Sequence, residues 1–356
     1  MELPRAGGYR RSCIDQHRTL AVTQFRPGPL NLITDVSGLK VGHATDEHAG
    51  SGVTALLCDG FWAAAADPRG GGPGTRETDT LSAENLNARA HAIVLAGGSV
   101  YGLAAADGAV TALAGQGRGL RLRPGSPPIP IVPAAVLHDL GNPGDKNWGD
   151  DPPYRRLGAA AVAAAAEDFA LGSVGAGRGA MAGLAKGGIG SASLDLGGGL
   201  MAGALVAANP IGSTYMADGR TFWAWPFEID GEFGGARPAA DIVAAVDPVP
   251  DASRLSQFGR LAPGANTTLG VVAVNADLTP AECKRIAIMA QDGFARAIRP
   301  IHTPFDGDIV FALAAGRVAV GEGPERTVAI ARLGAAAADC MARAVARAIH
   351  AAASTA

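Results

Sequence analysis

The clearest periodic signals lie in the last third of the chain. Residues 267–275 form an apolar, β-branched run that reads as a strand buried on both faces. Thr279-Pro280-Ala281-Glu282 follows, a capping box with proline at the first helical position, so a helix is predicted from there to about Arg299, stopping before Pro300. Residues 302–307 read as a turn and 308–313 as a strand. A final helix from about Arg326 carries apolar residues at Ile330, Leu333, Met341, Val345 and Ile349, one buried stripe.

Earlier in the chain, residues 31–41 and 52–58 carry strand patterning and flank a polar turn, Gly42-His43-Ala44-Thr45-Asp46. Residues 92–96 form a strand that enters Gly97-Gly98-Ser99-Val100-Tyr101-Gly102 and then an alanine-rich helix ending near 114. A proline-rich connector (124–133), a short strand (134–137), an irregular excursion (139–156) and a helix (157–170) come next. Residues 174–193 are glycine-rich, and 200–208 read as a buried strand ending in Asn209-Pro210. Residues 213–264 show no sustained periodicity, and residues 1–30 read as an irregular arm. The pattern describes an arm (1–30) followed by one mixed α/β domain (31–356).

Composition narrows the function classes. Of 356 residues, 48% are hydrophobic and 18% charged, enough apolar material for a large core, and the 50 glycines suit closely packed layers. A formal net charge of −3 gives no basis for nucleic-acid or anionic-membrane binding. Cys13, Cys58, Cys283 and Cys340 form no CxxC pair and read as free thiols of a reducing compartment. No apolar leader or membrane span is evident, so a cytoplasmic protein is expected. His43 and His48 lack a third ligand nearby and read as surface histidines, not as a metal site.

The candidate chemistry centres on Gly264-Ala265-Asn266-Thr267-Thr268. A threonine whose amide nitrogen is freed by chain cleavage carries a hydroxyl nucleophile beside an α-amine of pKa about 7.7–8.0, a base poised near neutrality. The same hydroxyl can first attack the Asn266 carbonyl. The alternative is a loop ending where a strand begins. The turn at 97–102 places backbone amides at a helix start, where they serve either an anion or oxyanion site or simple helix–sheet packing. The glycine-rich loop 67–79, with Arg69, Arg76, Glu77 and Asp79, lacks the lysine of a nucleotide-binding loop and reads as an ion-paired loop lining a cleft.

Several long motifs occur together: Val41-Gly42-His43-Ala44-Thr45-Asp46, residues 69–79, residues 97–108, Lys186-Gly187-Gly188-Ile189-Gly190, Asn266-Thr267-Thr268-Leu269 and Asp306-Gly307-Asp308-Ile309. In these the chain resembles the L-aminopeptidase/D-esterase and β-aminopeptidase family, which includes the nylon-oligomer endo-hydrolases. The resemblance covers the chain from about Leu30 to the final helix. It implies an α/β (α+β) fold, a four-layer αββα sandwich, and a precursor that cleaves itself between Asn266 and Thr267 into residues 1–266 and 267–356. It also implies assembly as a tetramer or larger, a small-molecule amide or peptide substrate, and no metal or organic cofactor.

Beside the resemblance, physical roles can be assigned. Lys186 supplies a charge that lowers the hydroxyl pKa or orients the α-amine. Asn209 offers a side-chain amide to a developing oxyanion. Asp306 and Asp308, two apart, share a strand face near a substrate ammonium or Lys186. Gly98, Ser99, Tyr101, Arg76 and His138 are assigned to substrate binding, His138 standing where some relatives carry tyrosine. The competing readings are an acyltransferase resembling the ornithine acetyltransferases, and a glycine-rich binding protein that stays intact.

Overall fold

The computed structural model describes residues 25–241, 248–257 and 266–354. Among the described residues there are eleven strands: β1 (Leu39–Asp46), β2 (Ser51–Pro68), β3 (Gly74–Arg76), β4 (Arg89–Ala96), β5 (Ala134–Val136), β6 (Met181–Ala182), β7 (Ala185–Lys186), β8 (Gly188–Gly197), β9 (Leu200–Asn209), β10 (Thr267–Ala276) and β11 (Ile309–Val318). Four α-helices accompany them: α1 (Ala105–Gly115), α2 (Tyr154–Ala163), α3 (Pro280–Ala297) and α4 (Gly323–Ala353).

The strands β3-β5-β4-β2-β11-β10-β9-β8 are hydrogen-bonded in that order, with β1 on β2. One strand belongs to two layers. The first half of β2 pairs with β1 and β4, its last residues pair with β11, and its register with β4 shifts between Leu57 and Trp62. In the first half Val53, Ala55 and Leu57 pack with α1 and α2; in the second, Ala63 and Ala65 pack with the α3/α4 side.

Three buried clusters then define four layers. One joins Ala106, Ala109 and Leu157 of α1 and α2 to Val94 and Ala96 of β4. A second lies between the two sheet halves, with Leu56, Ile93 and Leu95 facing Leu205, Leu269, Val271 and Phe311. The third joins Val206, Val272 and Val310 to Phe294 of α3 and Met341 and Val345 of α4. Alternation along β10 sends Leu269, Val271 and Ala273 to the inter-sheet core and Val272 and Val274 to the helices. This is the expected αββα sandwich.

Small residues permit the close layering. A Cβ on Gly190 of β8 would lie 1.9 Å from the Ala344 carbonyl oxygen of α4, so only glycine allows that approach. The Thr279–Glu282 capping box is present: the Thr279 hydroxyl accepts from the Glu282 amide (3.3 Å), and the Thr279 amide donates to the Glu282 carboxylate (2.8 Å).

Several expected boundaries differ. Residues 42–46 are the second half of β1, not a turn, because Ser51–Ala55 of β2 satisfy their backbone groups. Residues 33–35 form a 3-10 turn in place of the strand start expected at 31. The helix expected over 157–170 is Tyr154–Ala163, and the glycine-rich stretch 174–193 contains β6, β7 and most of β8. His43 is no surface histidine: its ring sits against the Thr54 hydroxyl and the Ala170 carbonyl, and burial pushes its pKa down to about 4. Cys58, Cys283 and Cys340 are free and buried, while Cys13 and the residues immediately before Asn266 lie outside the described residues.

Candidate active site

Thr267 is the first residue of β10, and its strand register sets what surrounds it. It lies opposite Asn209, the last residue of antiparallel β9, while Asn266 bridges in parallel to Asp306 just before β11. Thr267 is 2% exposed and Asn266 fully buried. The Thr267 hydroxyl donates to the Asn266 carbonyl oxygen at 2.5 Å, and the Gly307 amide donates to that same oxygen at 2.9 Å. The bond preceding Thr267 is thus polarised by two donors, one of them the hydroxyl itself. A Cβ on Gly307 would come within 2.7 Å of that hydroxyl, so glycine keeps the space beside it clear.

The turn from His302 to Asp308 wraps this centre. Asp308 is buried; one carboxylate oxygen accepts from the Thr268 amide (2.7 Å), the other from the His302 amide (3.1 Å) and imidazole Nδ1 (2.9 Å). Asp306 accepts from the amides of Ile211 and Thr303 and from the Thr303 hydroxyl. Burial, and then the Asp308 charge, push Asp306 up to about 6, so this carboxyl holds a proton well above the ordinary carboxylate range.

The glycine-rich loop after β2 packs on this turn instead of opening to a ligand. The amides of Arg69 and Gly70 donate to the Asp308 carbonyl, that of Gly72 to Asp306 and that of Gly71 to Thr303. The ion pairs expected here are present: Arg69 pairs with Asp67, and Arg76 reaches across to Asp107 of α1 at 2.7 Å.

Asn209 is buried. Its amide nitrogen donates to the His138 carbonyl (3.2 Å), and its oxygen accepts from the Met181 amide (2.9 Å). Met181 pairs with Lys186 across the β6–β7 hairpin. The Lys186 ammonium donates to the Arg178 carbonyl (2.9 Å) beside a cavity of about 380 Å³ lined also by Glu47, Asn142, Arg178 and Met181. Burial and then the Arg178 charge hold its pKa below the ordinary lysine value. The carboxylates acting on Lys186 are Asp139 and Glu47, so the expected approach of Asp306 and Asp308 to this lysine gives way to pairing with Thr303, Thr268 and His302.

The turn at 97–102 has its amides engaged. The Gly98 amide donates to Asp139 (2.7 Å) and the Ser99 amide to the Leu137 carbonyl (2.9 Å), so the open anion site considered for this turn is filled by the chain itself. Tyr101 is half-exposed, edge-on to Trp148. His138, half-buried, touches the site through its backbone carbonyl.

Two residues outside the sequence reading join the cluster. Arg254 donates to the carbonyls of Met181 (3.0 Å) and Pro210 (3.1 Å), tying the ends of β6 and β9 together; burial lowers its pKa to about 10 against the opposing pull of Asp306. His302 is the other, held at a left-handed φ of 56°. Among the described residues no group of histidine, cysteine and acidic side chains could hold a metal ion. No helix among them is long and apolar enough to cross a membrane.

A β-sandwich between two helix layers is a fold that this protein shares with solved structures. The solved structures most like it include a Burkholderia sp. β-aminopeptidase (TM-score 0.65, 23% identical, covering 91% of this chain and 87% of that one). An L-aminopeptidase D-Ala-esterase/amidase from Ochrobactrum anthropi is as similar (TM-score 0.65, 22% identical, covering 92% and 88%). The chain belongs to Peptidase family S58, which it matches over residues 31–356. An uncharacterized aminopeptidase of Mycobacterium tuberculosis (strain ATCC 25618 / H37Rv) is 45% identical over 332 residues, 89% of this chain and 92% of that protein. The 6-aminohexanoate-oligomer endohydrolase of Paenarthrobacter ureafaciens is 30% identical over 291 residues, 78% of this chain and 73% of that protein. The protein is a hydrolase of peptide or amide bonds.

Proposed function

We propose that the chain is made as a precursor that cleaves itself between Asn266 and Thr267, and that the exposed Thr267 then hydrolyses amide bonds of short peptides, β-peptides or amino-acid amides. The observation that carries this reading is the Thr267 hydroxyl against the Asn266 carbonyl, with the Gly307 amide on the same oxygen. Attack by the hydroxyl oxygen on the carbonyl carbon breaks the C–N bond and leaves an Asn266 ester on Thr267, its proton passing to the departing α-amine. Water then opens the ester, giving the Asn266 carboxylate and a free N-terminal threonine. In turnover the same oxygen takes the substrate acyl group and the substrate amine departs with the hydroxyl proton, carried by the α-amine; water then opens the acyl ester, releasing the acid and restoring the hydroxyl.

In this reading Asn209 steadies the oxyanion side, Lys186 supplies positive charge, and the Asp306–Asp308 pair orders the backbone at Thr267. Free buried cysteines suit a cytoplasmic setting, and a homotetramer is part of the proposal by analogy with the resemblance. A second reading, endo-hydrolysis of 6-aminohexanoate oligomers, is favoured by the 30% identical relatives of that name. A panel of aminoacyl p-nitroanilides, β-peptides and 6-aminohexanoate oligomers on the matured protein separates the two. Release of amine without an added acceptor is expected. Turnover only in the presence of an amine acceptor would instead make the protein an acyltransferase.

A further inference from the structure

We propose that His302 is a positioning residue for the Asp308 carboxylate, fixing it so that its other oxygen holds the backbone one residue beyond the nucleophile. The inference rests on Thr267 being that nucleophile. His302 gives Asp308 two donors on a single oxygen, its own amide at 3.1 Å and Nδ1 at 2.9 Å. A carboxylate only accepts, so Nδ1 carries the proton in that contact. The other oxygen of Asp308 receives the Thr268 amide at 2.7 Å, which pins the start of β10.

Three observations support a built device. His302 takes a left-handed φ of 56°, a conformation costly for a side chain of this size and held here by its two bonds to Asp308. Its Nε2 is buried without a partner among the described residues, so the ring is fixed through Nδ1 alone. By strand alternation Asp308 lies on the helix-facing side of the sheet and Thr267 on the inter-sheet side, and the His302 ring packs near Phe294 of α3. The imidazole therefore acts through Asp308 and not on the reacting atoms.

The electrostatic consequence concerns where one proton sits. Two neighbouring buried carboxylates resist ionising together, and donors aimed at one of them favour its charged form. Asp306, raised to about 6 by burial and then by the Asp308 charge, is the carboxyl of the pair that holds a proton above the ordinary range. The charged groups around the pair are Arg254 against Asp306 and, where β2 meets β11, Asp67 with its partners Arg69 and Lys284.

The test is the split between kcat and KM for the matured protein. His302→Gly keeps the left-handed backbone and removes the Nδ1 donor, so Asp308 loses one of the two bonds that fix its far oxygen. The kcat should fall on the order of ten- to a hundredfold with KM little changed. His302→Asn tolerates the same φ and returns an N–H donor, so kcat should move back toward wild type. A kcat unchanged in His302→Gly, or lowered equally in His302→Gly and His302→Asn, would overturn the proposal. Should His302→Gly fail to fold by thermal melting, His302→Asn is compared with His302→Asp, which has the shape of Asn and an opposing charge. The same kcat in both would equally overturn it. A wild-type chain uncleaved at 266–267 removes the nucleophile reading itself; cleaved and active wild type with kcat unmoved by the substitutions removes only the role of His302.

Discussion

Two buried aspartate clusters flank strand ends in this protein, and they are built to different standards. Asp139 accepts from the Gly98 amide and the Ser51 hydroxyl, with the Tyr154 hydroxyl donating to Ser51 behind it. Every one of those groups has a partner. Around Asp306 and Asp308 the carboxylates are satisfied, yet their neighbours are not. Of eight buried side-chain polar atoms without a partner among the described residues, five belong to Asn266, Thr268, His302 and Arg254. Unpaired buried polar groups destabilise a fold by about 1–3 kcal/mol each, so a protein that concentrates them in one place keeps them for another purpose. The first cluster fastens the 97–102 turn; the second surrounds the proposed nucleophile.

That contrast predicts opposite responses to the same substitution. Asp308→Asn keeps the shape but loses the charge that holds Thr268 and His302, and kcat/KM should fall on the order of a thousandfold. Asp139→Asn should leave kcat/KM within about tenfold and act mainly on the melting temperature, since its partners can rearrange around an amide. Equal losses of activity in the two variants would erase the distinction.

Lys186 lies between the clusters, near Asp139 by charge and near Asn209 through Met181. Lys186→Met retains most of the apolar stem and removes the ammonium. Both maturation and turnover should slow on the order of a hundredfold, followed by gel-based cleavage and steady-state rates. Normal maturation and turnover would place Lys186 with the fastening network.

The smallest effect concerns stability and pH. Asp306 is raised to about 6, above its unfolded value of about 4, so its protonated form is favoured in the fold. Its contribution to stability is complete below about pH 4 and is lost as pH rises through about 6, on the order of 3 kcal/mol at most. Measured on the uncleaved Thr267→Ala chain, melting temperature should carry this downward slope, and Asp306→Asn should flatten it. An identical slope in both would assign the proton elsewhere.

Local chemistry made some parts legible from sequence. The Thr279–Glu282 box, the apolar run of β10 and the stripe of α4 were readable because each signal lies within a few residues of the element it specifies. β1 was misread as ending at 41 because its polar second half is a strand only by virtue of β2 beside it. β2 read as short because the irregularity between Leu57 and Trp62 hides that one strand serves two layers. At the site, Thr267, Asp306 and Asp308 came from motifs and Asn209 from its place at the end of an apolar strand, and the strand register brings all four to one end of β9, β10 and β11. His302 could have been found, since it opens the same turn as Asp306 and Asp308. Arg254 could not: it lies in a stretch without periodicity, and its role depends on carbonyls at the ends of β6 and β9.

The central claim is that Thr267 both cuts the chain and attacks the substrate, and N-terminal sequencing with intact mass tests it most directly. Active wild-type protein should consist of residues 1–266 and 267–356, the second beginning at Thr267. Thr267→Ala should remain one intact, inert chain, and Thr267→Ser should mature and keep measurable activity, its freer χ1 giving a less fixed hydroxyl. A first residue of Thr268, a full-length chain in an active preparation, or cleavage persisting in Thr267→Ala would contradict the account.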